Sequence, residues 1–344
     1  VVAVQVLVAM SGGVDSSVAA ALLVDAGHDV VGVTLKLWGG ESDSGCCSVS
    51  DVDDARRVAQ QLGIAHHVFN FGDAFDEWVV QPYVEAHARG ATPNPCIDCN
   101  RHIKFDRLLS RADRLGFDLI ATGHHARIAT VADGTRRVAR GADADKDQSY
   151  VLYVLGQAQL RRLVLPVGHL TKAQVRDTAA ALGLRTAVKP DSQDVCFIHS
   201  TGGRRAFLGH RIPLTPGRIV DPGGEQVGAV PAVELVTIGQ RKGLGLGGGG
   251  DRRYVVGVDV AGATVTVGSH RDLLCDGVEL DQLVWAHRAV EGPVTVQCSA
   301  HGPLRPARLS GSSLRWDRPQ PRVAPGQAVV FYDGDHVIGG GVAR

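Results

Sequence analysis

The sequence predicts an α/β fold, a doubly wound parallel sheet, followed by two smaller β-rich domains. Three observations lead there. The chain opens on an apolar run, Val1 to Val8, broken only by Gln5, which passes through a glycine turn into the helix-forming stretch Ser17 to Leu23. β-branched runs then alternate with amphipathic stretches to about residue 122, the pattern of parallel strands joined by helices. From about residue 200 glycine and proline become dense and apolar residues fall in short alternating runs, as in antiparallel β structure. The 344 residues divide on this reading into 1–200, 201–270 and 271–344.

In order, the first helix ends at Gly27, and Asp29 to Trp38 is a buried parallel strand. Gly39 to Ser48 reads as a loop around Cys46 and Cys47, adjacent cysteines poorly placed to pair with each other. Ser50-x-x-Asp53 is a capping signature for a helix whose Val52, Ala55, Val58, Ala59 and Leu62 share one face and which Gly63 closes. Ala65 to Phe71 is a third strand; His66 and His67 read as strand residues, with no Cys or carboxylate at ligand spacing. Phe75 to Arg89 is a helix bent at Pro82. Phe105 to Leu115 is another, and Leu119 to Thr122 a short strand that delivers Gly123 and His124 to its C-terminal end, where open α/β sheets bind ligands. Ile128 to Arg140 reads as a hairpin turning at Asp133-Gly134. Thr171-x-x-Gln174 is a capping box for a helix that Gly183 stops.

Composition is that of an ordinary globular chain, 44% hydrophobic and 21% charged. No run approaches a membrane span. The apolar start lacks a basic leader and a small-residue cleavage site, so it is read as a strand and not as a signal peptide. Seven cysteines, an odd number, argue against a disulfide framework and for a reducing, cytoplasmic setting. With a formal net charge of zero, any nucleic-acid partner must be held by local basic patches.

The chemistry concentrates in three loops. Ala9-Met10-Ser11-Gly12-Gly13-Val14-Asp15-Ser16 joins a strand to a helix start, a geometry that binds phosphate through backbone N–H groups and the helix dipole. It has no lysine after the glycines, so it is not a Walker A loop, and it fails the dinucleotide spacing. Asp15 beside a polyphosphate calls for a divalent cation between them. The other two loops each carry cysteine within rigid, proline-bounded sequence: Thr92-Pro93-Asn94-Pro95-Cys96-Ile97-Asp98-Cys99-Asn100, and Asp191 to Phe197 with Cys196. A cysteine taken at random is better read as a core residue; polar surroundings favour reactivity here.

Ser-Gly-Gly-x-Asp-Ser resembles the pyrophosphatase loop (PP-loop) of the N-type ATP pyrophosphatases. Together with the two cysteine loops, Ala121 to His124, Lys146 to Tyr150, Ile238-Gly239-Gln240-Arg241-Lys242-Gly243-Leu244-Gly245 and Pro325-Gly326-Gln327, it makes the chain similar over nearly its whole length to the tRNA-specific 2-thiouridylases, the MnmA/TrmU family. The resemblance implies that ATP, with Mg²⁺, adenylates the C2 oxygen of the wobble uridine and that sulfur replaces it. It implies Cys196 as persulfide carrier, charged by a sulfur-relay protein or cysteine desulfurase. Cys99 is then the nucleophile that releases the sulfur, leaving a Cys99–Cys196 disulfide. Ala9 to Ser16, Leu35 and Gly123 match the ATP contacts. Asn94, Pro95 and Cys96 match the stretch that faces the target base. His124, Lys146, Asp147, Gln148 and Gln327 match tRNA contacts. An adenylated base must leave its stack, so an extruded-uridine pocket is expected.

Two departures stand out. Cys96 occupies a position where some relatives carry an Asp, a general acid or base. Val294 to His301 lacks an Arg/Tyr cluster that some relatives place on tRNA, with Arg305 and Arg308 as candidate substitutes. Two alternatives compete: another ATP pyrophosphatase, adenylating a small substrate, and a protein in which Cys96, Cys99 and Cys196 hold an iron–sulfur cluster or zinc.

Overall fold

Strand β1 (Gln5–Ala9) lies in the middle of the first sheet, and its alternation explains why. Val6 and Val8 face one apolar cluster with α1 (Val14–Asp25), while Leu7 faces the other, so both faces are covered. Each such fully buried side chain contributes about 1.5–3 kcal/mol. The computed structural model describes residues 3–38, 49–191, 195–199 (His199 in its backbone only), 201–246 and 252–344. The loop read for 39–48, with Cys46 and Cys47, lies outside these.

Strands β2 (Asp29–Lys36), β3 (Ala65–Asn70), β4 (Leu119–Thr122) and the two-residue β7 (Leu163–Val164) complete a parallel sheet of order β3-β2-β1-β4-β7. The order reverses at β1, and Ala9 pairs with Val33 on one side and Thr122 on the other. The turns after β1 and β4 therefore emerge side by side at the switch point, where such sheets bind ligands.

Helix α2 runs Val49–Gln61. It begins before Ser50, so that residue lies within the first turn and not ahead of it. The helix bent at Pro82 comprises Gly72–Phe75, a π-helical stretch Asp76–Val80 and Gln81–Ala88; Gln81 N–H donates to the Asp76 carbonyl. Pro82 has no N–H to offer the preceding turn, and the ladder slips by one residue. A second π-helical stretch, Cys99–Arg107, precedes Leu108–Leu115, so helical structure starts well before Phe105. The capping box at Thr171 and Gln174 opens the helix Lys172–Ala181.

The hairpin β5 (Ala126–Thr130) and β6 (Arg136–Arg140) turns at Asp133-Gly134; Asp133 Oδ1 accepts from Thr135 N–H, and Gly134 has φ +80°. It does not join the parallel sheet. It pairs through Ala139 and His336 with β17 (His336–Ala343) of the C-terminal domain.

After a short helix, Arg204–Gly209, which the β texture did not announce, β8 (Gly217–Val220), β9 (Gln226–Val230), β10 (Tyr254–Asp259) and β11 (Thr264–Gly268) form a four-stranded sheet. Strands β12 (Leu274–Trp285), β13 (Gly292–Gln297), β14 (Arg305–Ser310), β15 (Ser313–Pro321), β16 (Ala328–Asp333) and β17 close into a barrel through the β12–β17 pairing. Among the described residues no helix is long and apolar enough to cross a membrane.

Candidate active site

The turn after β1 is held open by its own side chains. Ser16 Oγ accepts from Ser11 N–H at 3.1 Å and donates to the Gly13 carbonyl at 3.2 Å, and Ser17 Oγ donates to the same carbonyl at 2.8 Å. Gly12 has φ +77°, and a Cβ there would stand 2.2 Å from the Asp51 carbonyl oxygen. Only glycine fits on both counts. Leu35 is buried in the core of β2, and Gly123 packs against the first turn of α1, where a Cβ would lie 2.6 Å from Ser16 N.

An ion network surrounds this loop. Asp15 accepts from Lys172 Nζ at 2.7 Å on each carboxylate oxygen and from His125 Nε2 at 3.0 Å. These partners outweigh the cost of burial and hold its carboxyl below the usual range. Lys172 also reaches Asp191 at 3.0 Å, and Asp191 takes Lys146 at 2.8 Å and Arg176 at 2.5 Å. Lys189 donates to the Gly12 carbonyl at 3.0 Å, Asp51 at 2.6 Å and Asp54 at 2.7 Å. Sequence reading missed Lys172, Lys189 and His125. Their partners on the phosphate-type loop and α2 lie over a hundred residues away, and no local pattern marks them.

Described residues on either side of 192–194 touch the phosphate-type turn and the first cysteine loop. Lys189 touches Gly12, Asp191 touches Lys172, and Val195 N–H lies 3.5 Å from Cys96 Sγ. Two cysteine loops 99 positions apart in the chain thus meet. Asn94 Oδ1 caps the turn Pro95–Asp98 by accepting from Cys96 N–H at 3.0 Å, and Pro95 takes its first position, where its missing N–H costs nothing. Cys96 and Cys99 fall three apart on this helical path, on one side of it. Phe197, next to Cys196, is clasped by Phe75, Tyr83, Phe207 and Trp38 at ring separations of 5.6, 5.7, 5.1 and 6.1 Å.

The cysteines differ in state. Cys99 is a free thiol whose pKa burial pushes up, with Lys104 opposing, so it is protonated at neutral pH. Cys196 is disulfide-bonded, and Cys99 is not its partner. The Cys99–Cys196 bond implied by the resemblance is therefore not the one formed here; Cys99 sits inside the helix as a shielded, neutral thiol. Among the described residues no three His, Cys, Asp or Glu are grouped to hold a metal. This arrangement does not fit an iron–sulfur cluster or zinc on Cys96, Cys99 and Cys196.

Beside Cys99, burial raises the Asp98 carboxyl to about 6, with Arg101 opposing. A folded pKa above the unfolded value of about 4 means that ionising Asp98 destabilises the fold as pH rises from about 4 through 6. Asp98→Asn is expected to gain stability over the parent at pH 7.5 and none at pH 4, by about 3 kcal/mol at most. Removing this negative neighbour should also speed Cys99 alkylation at pH 7.5. Thermal unfolding at the two pH values and iodoacetamide kinetics check both; a gain of equal size at both pH values contradicts the assignment.

The residues matched to tRNA contacts are not equally exposed. Lys146 is exposed, bonded to Asp191. His124 is buried, bonded to Thr122 Oγ1 at 2.7 Å and held neutral by burial. Asp147 is buried against Arg140 at 2.7 Å and accepts from Gly141 and Ser149. Gln148 Oε1 accepts from His125 N–H, and Gln327 Nε2 donates to the Thr92 carbonyl, bracing the first cysteine loop against the C-terminal barrel. Arg308 points outward from β14 opposite Arg315 on β15.

Three family models match in succession: a tRNA methyl transferase HUP domain over residues 4–200, a tRNA methyl transferase PRC-barrel domain over 205–269 and an aminomethyltransferase beta-barrel domain over 276–343. The chain is 47% identical to the tRNA-specific 2-thiouridylase MnmA of Chloroflexus aurantiacus, over 99% of this chain and 98% of that protein. It is 46% identical to that of Roseiflexus sp. and 49% to that of Mycolicibacterium gilvum, each over 99% of both chains. With its phosphate-type loop at the switch point and its two cysteine loops in contact, the chain belongs to the MnmA family of tRNA-specific 2-thiouridylases, within the PP-loop superfamily.

Proposed function

We propose that the protein is a tRNA-uridine 2-sulfurtransferase that uses ATP to replace the C2 oxygen of the wobble uridine by sulfur. The observation that carries this reading is the contact between Val195 and Cys96, which sets the Cys196 segment against the Cys96–Cys99 turn.

The loop from Ala9 to Ser16 binds the triphosphate through main-chain N–H groups, and Gly123 admits the nucleotide beside α1. The uridine O2 attacks the α-phosphorus and pyrophosphate departs, so a poor leaving group becomes AMP. Asp15, with one carboxylate at the loop, fits a cation that enters with the phosphates, the usual way Mg²⁺ is held. Mg²⁺ bound there would offset charge on the departing pyrophosphate. Cys196, once reduced, takes a persulfide from a sulfur-relay protein. Cys99, as thiolate, attacks the Cys196 sulfur of that persulfide; the S–S bond breaks, the terminal sulfur leaves with its electron pair, and a Cys99–Cys196 disulfide forms. The released sulfur adds at C2 and AMP leaves. An external dithiol reopens the disulfide.

The tRNA is held by local contacts, with Lys146 and the Gln240-Arg241-Lys242 segment in reach of phosphates. His124, Asp147, Gln148 and Gln327 act from behind, fixing the loops that carry exposed groups. The test is mass spectrometry of wobble nucleosides after incubation with ATP, Mg²⁺, sulfide and unmodified tRNA. 2-Thiouridine that requires ATP is the expected product. Its absence in the presence of adenylation of a small molecule would favour a different ATP pyrophosphatase.

A further inference from the structure

The phosphate-type loop has no cation of its own sequence; the structure brings one from another helix. Lys172 is the first residue of the helix Lys172–Ala181, and its side chain is 12% exposed. Its backbone is fixed: its N–H donates to Asp143 Oδ2 at 2.8 Å, and Thr171 and Gln174 cap the helix. Its ammonium lies 2.7 Å from both oxygens of Asp15, in the first turn of α1, and 3.0 Å from Asp191.

We propose that Lys172 is a phosphate-binding residue of the adenylation site, held by Asp15 and Asp191 until ATP arrives and then transferred to the leaving pyrophosphate. The idea rests on the ATP-dependent reading above. The remaining partners make the transfer cheap. Asp15 keeps its hydrogen bond with His125 at 3.0 Å when Lys172 leaves, and Asp191 keeps Lys146 at 2.8 Å and Arg176 at 2.5 Å. Neither carboxylate is left without a hydrogen-bond partner, which would be costly.

Two neighbouring cations are committed elsewhere, and Lys146 reaches Asp191 from the exposed side. Lys189 is clamped by Asp51, Asp54 and the Gly12 carbonyl. Arg176 donates to the Ala187 and Lys189 carbonyls besides Asp191, tying its helix to the following turn. Lys172 alone of the three has both its ammonium contacts on carboxylates with other partners. A lysine is suited to this transfer: a compact charge on a flexible stem, able to follow phosphate oxygens.

A lysine that grips the β- and γ-phosphates matters for ATP and not for AMP, whereas a lysine that only ties two helices together matters equally for both. The test is equilibrium dialysis of the full-length protein with ATP and with AMP, at constant Mg²⁺, comparing the parent with Lys172→Ala and Lys172→Gln. The Gln variant keeps the stem and a donor for Asp15, so helix packing is retained if Ala fails to fold. Expected is a loss of ATP affinity of about 10-fold or more in both, with AMP affinity within about 2-fold of the parent. Unchanged ATP affinity, or an equal fall for ATP and AMP, overturns the proposal. A parent protein that binds AMP and ATP to no measurable extent overturns the ATP reading itself.

Discussion

Cys196→Ser is expected to lose thiolation completely, by about 10³-fold or more, the scale seen when a covalent nucleophile is removed. A serine oxygen cannot carry sulfane sulfur. ATP-dependent pyrophosphate release should persist, because Cys196 takes no part in attack on the α-phosphorus. Cys99→Ser separates the two halves of the relay: position 196 should still accept a persulfide, detectable by mass, and then stall. Cys96→Asp should retain much activity, since it restores the acid that some relatives carry. In the competing cluster chemistry all three cysteines are ligands, and each serine variant would lose iron and activity together. Thiolation rate measured beside iron content in the three variants decides the matter. Iron-free parent protein at full activity eliminates the cluster; joint loss of iron and activity in all three eliminates the relay.

Cys99 explains why the relay cannot run from the arrangement seen here. Its thiol is pushed up by burial and faces the raised carboxyl of Asp98. A reactive cysteine needs the opposite environment, a cation or dipole that favours the thiolate. Cys99 opens the π-helical stretch Cys99–Arg107, and such stretches have weaker ladders and recur at functional sites. Lys104 already acts to lower the Cys99 pKa, against the larger effect of burial.

What the sequence made legible follows from the range of each physical signal. The phosphate-type turn, the strands β1 to β4 and the capping box at Thr171 rest on interactions within a few residues, and composition alone exposes them. The hairpin of β5 and β6 was readable as a hairpin from Asp133-Gly134, but its partner strand β17 lies about two hundred residues on, and nothing local names it. Asp147 and His124 sit in polar stretches that suggest exposure; burial against Arg140 and Phe105 reverses it. Lys172 is the sharpest case. Thr171-Lys172 reads as a helix start, and only the packing of that helix on α1 turns an unremarkable surface lysine into a partner of Asp15.

Gly123→Ala is expected to cut ATP-dependent pyrophosphate release by about 10²-fold, the loss associated with a displacement near 1 Å at a reacting centre. Gly123 follows β4, and its added methyl would stand 2.6 Å from Ser16 N, 2.7 Å from Asp15 C and 2.9 Å from Ser16 Cα. All three are main-chain atoms of the first turn of α1, which cannot rotate aside as a side chain would. The helix start and the β4 turn must part, and the N–H groups that receive the phosphates move with it. Stability should fall by about 1–3 kcal/mol, as for other overpacked sites. The sign is informative, because Gly→Ala in an unobstructed turn stabilises by about 0.4–1 kcal/mol through the unfolded chain. Gly156→Ala supplies the control: its methyl would meet only Gln159 Oε1 at 3.6 Å, an ordinary contact. Pyrophosphate release and thermal unfolding of the two variants are the measurements. A Gly123→Ala protein with parental release and no loss of stability would show that the nucleotide does not depend on the close approach of β4 to α1.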